Sequence, residues 1–181
     1  MASFSGFNID AFRARFVNSY KTYLFYFTPS WPGGISSDIT QDNATYLVRA
    51  SNLPGRNVTV NTIEWQGVPY KYGGKTEGAQ SWTVEFLLDN NLSLYNTYIE
   101  YLRLIHDPDT NIHGDPSEYQ LQQTLYLLDH KNRGPVLKCN FIDMFPTTVP
   151  PIDLAYSDDG SPKTFSVTFE YTRHTYETFR Y

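Results

Sequence analysis

Cysteine occurs once in the 181 residues, at Cys139, so no disulfide can close within the chain. That usage fits folding in an intracellular compartment. No run of about 18 apolar residues is present, which excludes a membrane-spanning helix, and no membrane insertion is expected. The opening Met-Ala-Ser-Phe-Ser-Gly has neither a charged nor a long apolar region and does not read as a secretory signal. The glycosylation-like triplets at Asn43, Asn57 and Asn91 are then chance matches. Basic residues are scarce as well: 14 Lys and Arg face 19 Asp and Glu, for a net charge of −5. Such a balance argues against a general nucleic-acid binder, since an acidic wall repels the phosphate backbone.

Grouped reactive side chains are also missing. The four histidines (His106, His113, His130, His174) are scattered in the sequence, without an HExxH or a zinc-like Cys/His spacing. No GxSxG is present, and Tyr72-Gly-Gly-Lys-Thr lacks the first glycine of a phosphate-binding loop. Gly73-Gly74-Lys75-Thr76 therefore reads as the tip of a hairpin. Asp107, Asp109, Asn111 and Glu118 fall at the spacing of calcium-loop ligands, but Ile112 stands where the sharp turn needs glycine, and Pro108 and Pro116 stiffen the segment. A solvated Asx/Pro turn is the expectation there. Cys139, in an expected strand, reads as a small buried hydrophobe. No catalytic residue, no metal and no cofactor are expected: the chain does not read as an enzyme.

Aromatic residues, by contrast, make up 17% of the chain, with 15 tyrosines, 12 phenylalanines and three tryptophans. Tyrosine suits half-buried strand faces and contact surfaces, because its ring is apolar and its tip polar. One domain over residues 1–181 is expected. Residues 1–19 form an N-terminal arm with a short helix near Asn8–Val17, and 29–43 and 70–80 form extended loops. The first loop is long enough to be mobile or to reach a partner.

The centre of the chain, Asn57 to Asp107, reads strand, turn, strand and one amphipathic helix. Val58 onward is β-branched and closes on a Gly67–Pro69 turn. In Trp82–Leu88, Trp82, Val84, Phe86 and Leu88 share one face, with Thr83 and Glu85 on the other. The helix begins near Asn90 or Asn91 and runs to about His106. Tyr95, Tyr98, Ile99, Leu102 and Ile105 form its packing face, away from Asn96, Glu100 and Arg103. Further strands are expected at Lys21–Thr28, Thr45–Ala50, Tyr119–His130, Pro135–Met144 and Lys163–Thr172. In the last, Phe165, Val167, Phe169 and Tyr171 alternate with polar residues. The class is mainly β (α+β): an antiparallel β-sandwich or partly closed barrel of about seven strands, with one main flanking helix.

The order of these parts has a likeness. Leu47-Val-Arg-Ala-Ser-Asn-Leu-Pro-Gly-Arg-Asn-Val leads through the hairpin to Gln80-Ser-Trp-Thr-Val-Glu-Phe-Leu-Leu-Asp-Asn and a helix bearing Tyr98-Ile-Glu-Tyr-Leu. Leu137-Lys-Cys-Asn-Phe-Ile-Asp-Met-Phe-Pro-Thr-Thr-Val and Thr164-Phe-Ser-Val-Thr-Phe-Glu-Tyr close it. Over residues 20 to 176 this resembles the tail tube proteins of contractile-tailed, T4-like bacteriophages and the related baseplate tube proteins.

The resemblance implies that strands contribute to an inner β-barrel in a hexameric ring, and that rings stack into a hollow tube inside the sheath. It implies a virion structural protein, assembled in the bacterial host cytoplasm, whose tube conducts genomic DNA without sequence-specific binding. Its partners would be further copies of itself, the tail sheath, tape measure, baseplate and tail terminator proteins. The expected stacking element is Tyr70, Lys71, Tyr72, Gly73, Gly74, Lys75, Thr76 and Glu77. Neighbouring readings are a baseplate tube initiator and the tube of a bacterial contractile injection system. A carbohydrate-binding β-sandwich, its aromatics stacked on sugar rings, is the reading from a different class.

Overall fold

The computed structural model describes residues 20–76, 80–131, 134–153 and 160–179. The expected arm and helix within 1–19, the turn positions 132–133, the stretch 154–159 and Glu77 of the stacking element lie outside the described residues.

Alternation of apolar and polar residues sets the main sheet. Strands β1 (Phe25–Phe27), β2 (Val48–Ser51), β5 (Gln80–Leu87), β8 (Leu121–Leu128), β9 (Pro135–Thr148), β10 (Thr164–Tyr171) and β11 (Arg173–Thr178) belong to it. Their order is β1-β8-β9-β10-β5-β2, with β11 paired to β9, and every pairing is antiparallel. Its longest strand, β9, serves two sheets. Its first part pairs with β8 and β11, and its last residues with β10. Asp143, at φ 56, marks the bend between them. The barrel is not closed: among the described residues β1 and β2 end the strand path, and β11, paired to β9 alone, leaves a third open edge.

The interior is aromatic. Along β10 the residues alternate half-buried and buried, with Phe165, Val167, Phe169 and Tyr171 inside. Opposite them, Trp82, Val84 and Phe86 of β5 are buried in an eight-pair register from Thr164↔Leu87 to Tyr171↔Gln80. The Trp82 ring lies 4.9 Å from Phe27, 4.5 Å from Phe141 and 6.1 Å from Phe169. Its Nε1 is not stranded: it donates to the Asn52 carbonyl at 2.6 Å.

One long helix, Ser93–Ile105, covers part of this core. Asp89, rather than Asn90 or Asn91, completes its first turn, with Oδ2 accepting from Ser93 N at 3.0 Å, while Leu92 takes a left-handed φ of 55. Leu94, Thr97, Tyr98 and Tyr101 are its most buried positions beside Ser93. Tyr95 and Ile105 are half-buried against the core, and Ile99 and Leu102 half-buried. The buried stripe is therefore rotated toward Leu94 and Tyr101 from the expected one. Tyr101 reaches it because its hydroxyl donates to the Tyr119 carbonyl at 2.6 Å.

Several boundaries differ from the sequence reading for local reasons. Gln41–Thr45 forms a short helix, capped by the Thr40 hydroxyl on Asn43 N at 3.3 Å, so the next strand begins at Val48. Pro116–Tyr119 forms another, closed by a reciprocal Asp115–Glu118 capping box. Strand β11 after Thr172 is additional. The expected long loop 29–43 is not left standing in solvent: Trp31, Ile35 and Ile39 pack on the core. Gln123 Nε2 holds the Ser30 carbonyl at 3.2 Å, and the Ser37 and Thr97 hydroxyls lie 2.8 Å apart.

Candidate assembly surface

Among the described residues, strands β3 (Val58–Trp65) and β4 (Val68–Thr76) pair only with each other. Their turn is Gln66-Gly67, with φ of 50 and 77, the two left-handed residues that a tight hairpin needs to match strand twist. This corrects the expectation of a loop over 70–80 with its tip at Gly73–Thr76. The tip lies at Gln66-Gly67, and Tyr70 to Thr76 continue as strand. Gly74 there has a packing reason. A Cβ on Gly74 would come within 2.5 Å of Thr59 Oγ1 and 2.9 Å of Asn61 Nδ2, beside a register irregularity between Val58 and Val60.

The hairpin has two unlike faces. Pairs Trp65↔Val68, Ile63↔Tyr70 and Asn61↔Tyr72 put Ile63, Trp65, Val68, Tyr70 and Tyr72 on one side, with the two tyrosine rings stacked at 6.4 Å. Pairs Glu64↔Pro69 and Thr62↔Lys71 lie on the other. The apolar side stays uncovered, with Trp65 71% and Val68 67% exposed. A two-stranded hairpin alone is marginal in water, and a contiguous apolar patch marks a contact surface. The expected element Tyr70, Lys71, Tyr72, Gly73, Gly74, Lys75 and Thr76 thus lies on β4, with Lys71 on the opposite face from the tyrosines. Sequence reasoning left out Ile63, Trp65 and Val68. Their signal is the β-branched alternation of β3, read across to a second strand.

The root of the hairpin is pinned to the body. The Asn52 carbonyl takes the Trp82 indole N–H, the Pro54 carbonyl takes the Tyr176 hydroxyl, and Arg56 Nη2 donates to the His174 carbonyl at 3.0 Å. Arg56 also lies over the Tyr176 ring at 5.9 Å. His174 is buried between Tyr171 and Tyr176, and burial, with the Arg56 charge, holds its pKa below the usual imidazole value. Burial likewise pushes the neighbouring Cys139 thiol up to about 12. Such a thiol is no nucleophile at neutral pH.

The other singled-out residues gather no site. His106 and His113 meet across the short hairpin of β6 (His106–Asp107) and β7 (Ile112–His113), their ring centroids 4.3 Å apart, and are the one histidine pair brought together. Asp107 caps its own turn, accepting from Asp109 N at 3.0 Å and Thr110 Oγ1 at 2.8 Å, and these bonds lower its pKa. Asp109 pairs with Arg103 at 3.6 Å instead of converging on a cation. Among the described residues no group of three or more His, Cys, Asp or Glu could hold a metal ion. No helix among them is long and apolar enough to cross a membrane.

The family model described as phage tail tube protein matches residues 12–177. Among solved structures, the tube-terminating cap of an anti-feeding prophage is similar at a TM-score of 0.64 and 14% identity, over 90% of this chain and 93% of that one. The baseplate of an anti-feeding prophage gives 0.61 and 13%, over 89% and 97%. The sheath–tube complex of an extracellular contractile injection system gives 0.54 and 13%, over 96% and 99%. At these identities the likeness is one of fold. No curated protein sequence matches.

Proposed function

The chain belongs to the phage tail tube protein family, a structural and non-enzymatic family of phage-like tails and injection particles, and from that premise we propose that it extends a hollow inner tail tube by stacking hexameric rings. The tube belongs to a contractile bacteriophage, is assembled in the host cytoplasm, and serves as the conduit for genome delivery. Its partners are further copies of the chain and the sheath, tape measure, baseplate and terminator proteins.

One observation carries this reading: an amphipathic hairpin projects from a well-packed body and, among the described residues, leaves its apolar face uncovered and both outer strand edges unpaired. Unpaired edges invite association with another chain, and a closed ring removes them. The outer face of β5 and β10 supports the conduit role. It carries Ser81, Thr83, Glu85, Ser166, Thr168 and Glu170, with the Thr83 and Thr168 hydroxyls 3.2 Å apart and no Lys or Arg on either strand. Lining a lumen, such a face would let DNA slide, since the one cation beside it, Arg49 of β2, stands 3.9 Å from Glu85 and little is left to displace the counterions of DNA phosphates. Against the sugar-binding alternative, Trp82 is 1% exposed, on the packed strand face where the sequence put it, and unavailable for stacking.

Negative-stain electron microscopy of the purified protein at rising concentration, with its mass in solution, tests the proposal. Rings or stacked tubes are expected, and Trp65→Asp, which places a charge on the apolar hairpin face, should shorten or abolish them. A monomer at every concentration, including with a baseplate template added, would overturn it.

A further inference from the structure

Among the described residues, the large apolar side chains left in solvent fall almost entirely into two groups. One is the hairpin. The other surrounds a slot on the far edges of the main sheet, where β1 and β2 face each other without a strand between them.

The slot holds a cleft of about 410 Å³, lined on one lip by Tyr23, Phe25 and Tyr26 and on the other by Val48, Arg49 and Ala50. A second cleft of about 220 Å³ adjoins it, where Leu53, Leu125 and Leu127 form a mostly apolar floor beside Tyr20. Tyr23 is 73% exposed, and Tyr46, between the lining residues Thr45 and Val48, is 82% exposed. Each lip is also the outer edge of a strand whose other edge is already paired, β1 to β8 and β2 to β5. Among the described residues their outward backbone groups therefore have no ladder partner. The cleft between the lips mixes Thr22, Thr45, Arg49 and Ser51 with its apolar lining, and the adjoining cleft supplies the apolar floor; open strand edges beside such a floor have the form that takes an added strand.

We propose that this slot receives the β3–β4 hairpin of a second copy. The hairpin brings what the slot lacks. Its apolar face, Ile63, Trp65, Val68, Tyr70 and Tyr72, covers the floor and the exposed tyrosines, while a free strand edge supplies hydrogen-bonding partners to the lips. At roughly 3.3 Å per residue its nine-residue strand spans about 30 Å, far longer than the four residues of β2, so it reaches beyond its own body. The exchange is mutual in kind: each copy offers one hairpin and one slot on different surfaces. Head-to-tail contacts of that sort close into rings when the rotation permits. The inference deepens the tube reading by naming which surface receives the hairpin, and rests on it only for the identity of the partner.

The test uses full-length chains with one added cysteine each, since Cys139 is buried and its thiol pKa is raised. Tyr26→Cys or Ala50→Cys marks the two lips, Ile63→Cys marks the hairpin, and Leu92→Cys at the helix start is the control. Lip and hairpin variants are mixed under assembling conditions, mildly oxidised and run on a non-reducing gel. A disulfide-linked dimer is expected for a lip with Ile63→Cys and not for Leu92→Cys with Ile63→Cys. A hairpin that couples to the control and to neither lip would overturn the proposal. So would a lip cysteine already shielded from alkylation in the monomer, because residues 1–19, which lead directly into Tyr20, would then occupy the slot. Tubes without lip–hairpin coupling would sink this inference and leave the tube reading standing. Coupled dimers without tubes, on or off a template, would do the reverse.

Discussion

Two antiparallel pairs of nearly equal length, β5 with β10 and β3 with β4, end in opposite surroundings. Both alternate apolar and polar residues, and both carry a tryptophan on the apolar face, Trp82 in one and Trp65 in the other. Trp82 is sealed among Phe27, Phe141 and Phe169, whereas Trp65 stands in water. The difference is not in pattern or propensity. It lies in what arrives from elsewhere in the chain: β9, β2 and the long helix close over the first pair, and nothing among the described residues closes over the second. Amphipathic alternation states that a face must be covered; it does not state by which molecule.

Replacing the two tryptophans in turn is the most direct way to break this comparison. Trp82→Ala should cost about 3–5 kcal/mol of unfolding free energy, since it removes a large buried ring and leaves a cavity. Trp65→Ala should leave the stability of the monomer within about 0.5 kcal/mol, as exposed substitutions do, while reducing assembly. Denaturant titration of the monomer reads both. Equal losses would mean that the hairpin is buried within its own chain.

A smaller effect should separate hairpin from body. Gly67 has φ 77 and no atom within 4 Å of where a Cβ would stand, so the penalty in Gly67→Ala is conformational alone, about 1–2 kcal/mol. Hydrogen exchange should quicken across β3 and β4 and stay unchanged in β5 and β10; a matching change in both would couple the two pairs. The smallest effect should come from pH, at the hairpin root. His174 titrates below its unfolded value near 6.5, so the unfolded chain takes up its proton first as pH falls. Stability is fully present above pH 6.5, begins to fall below it, and the loss is complete below the folded pKa. The denaturation midpoint should drop over that interval, and His174→Gln should flatten the drop. A His174→Gln protein with an unchanged slope would assign the acid sensitivity elsewhere.

Much of the body was legible because its signals are local and redundant. The alternation in Phe165–Tyr171 and in Trp82–Phe86 identified both inner faces, and Asn96, Glu100 and Arg103 are exposed as their helical spacing requires. The expected helix face left out Thr97 and Tyr101, which are buried. Their hydroxyls are satisfied by Tyr119, Ser93 and Ser37, contacts that spacing does not reveal. The hairpin was misread for a different reason. Glycines at 73 and 74 suggested a loop, whereas Gly74 sits under Thr59 and Asn61 in a paired strand, and the real turn begins with Gln66 in a conformation that glutamine seldom adopts. The slot had no sequence signal at all. It is a missing strand between two strands far apart in order, visible only once the sheet has closed around it.

The bend at Asp143 also has a mechanical side. It keeps β9 a single span of 14 residues, laddered to β8 along one margin and to β11 and then β10 along the other. Antiparallel ladder bonds lie across the strand direction, so tension along β9 loads rows of them together in shear. The hairpin, held by one ladder and anchored at its root, opens rung by rung when its two strands are drawn apart. A subunit under axial load should therefore yield at the hairpin while the body stays intact, which puts the weakest link where separate copies of the chain would meet.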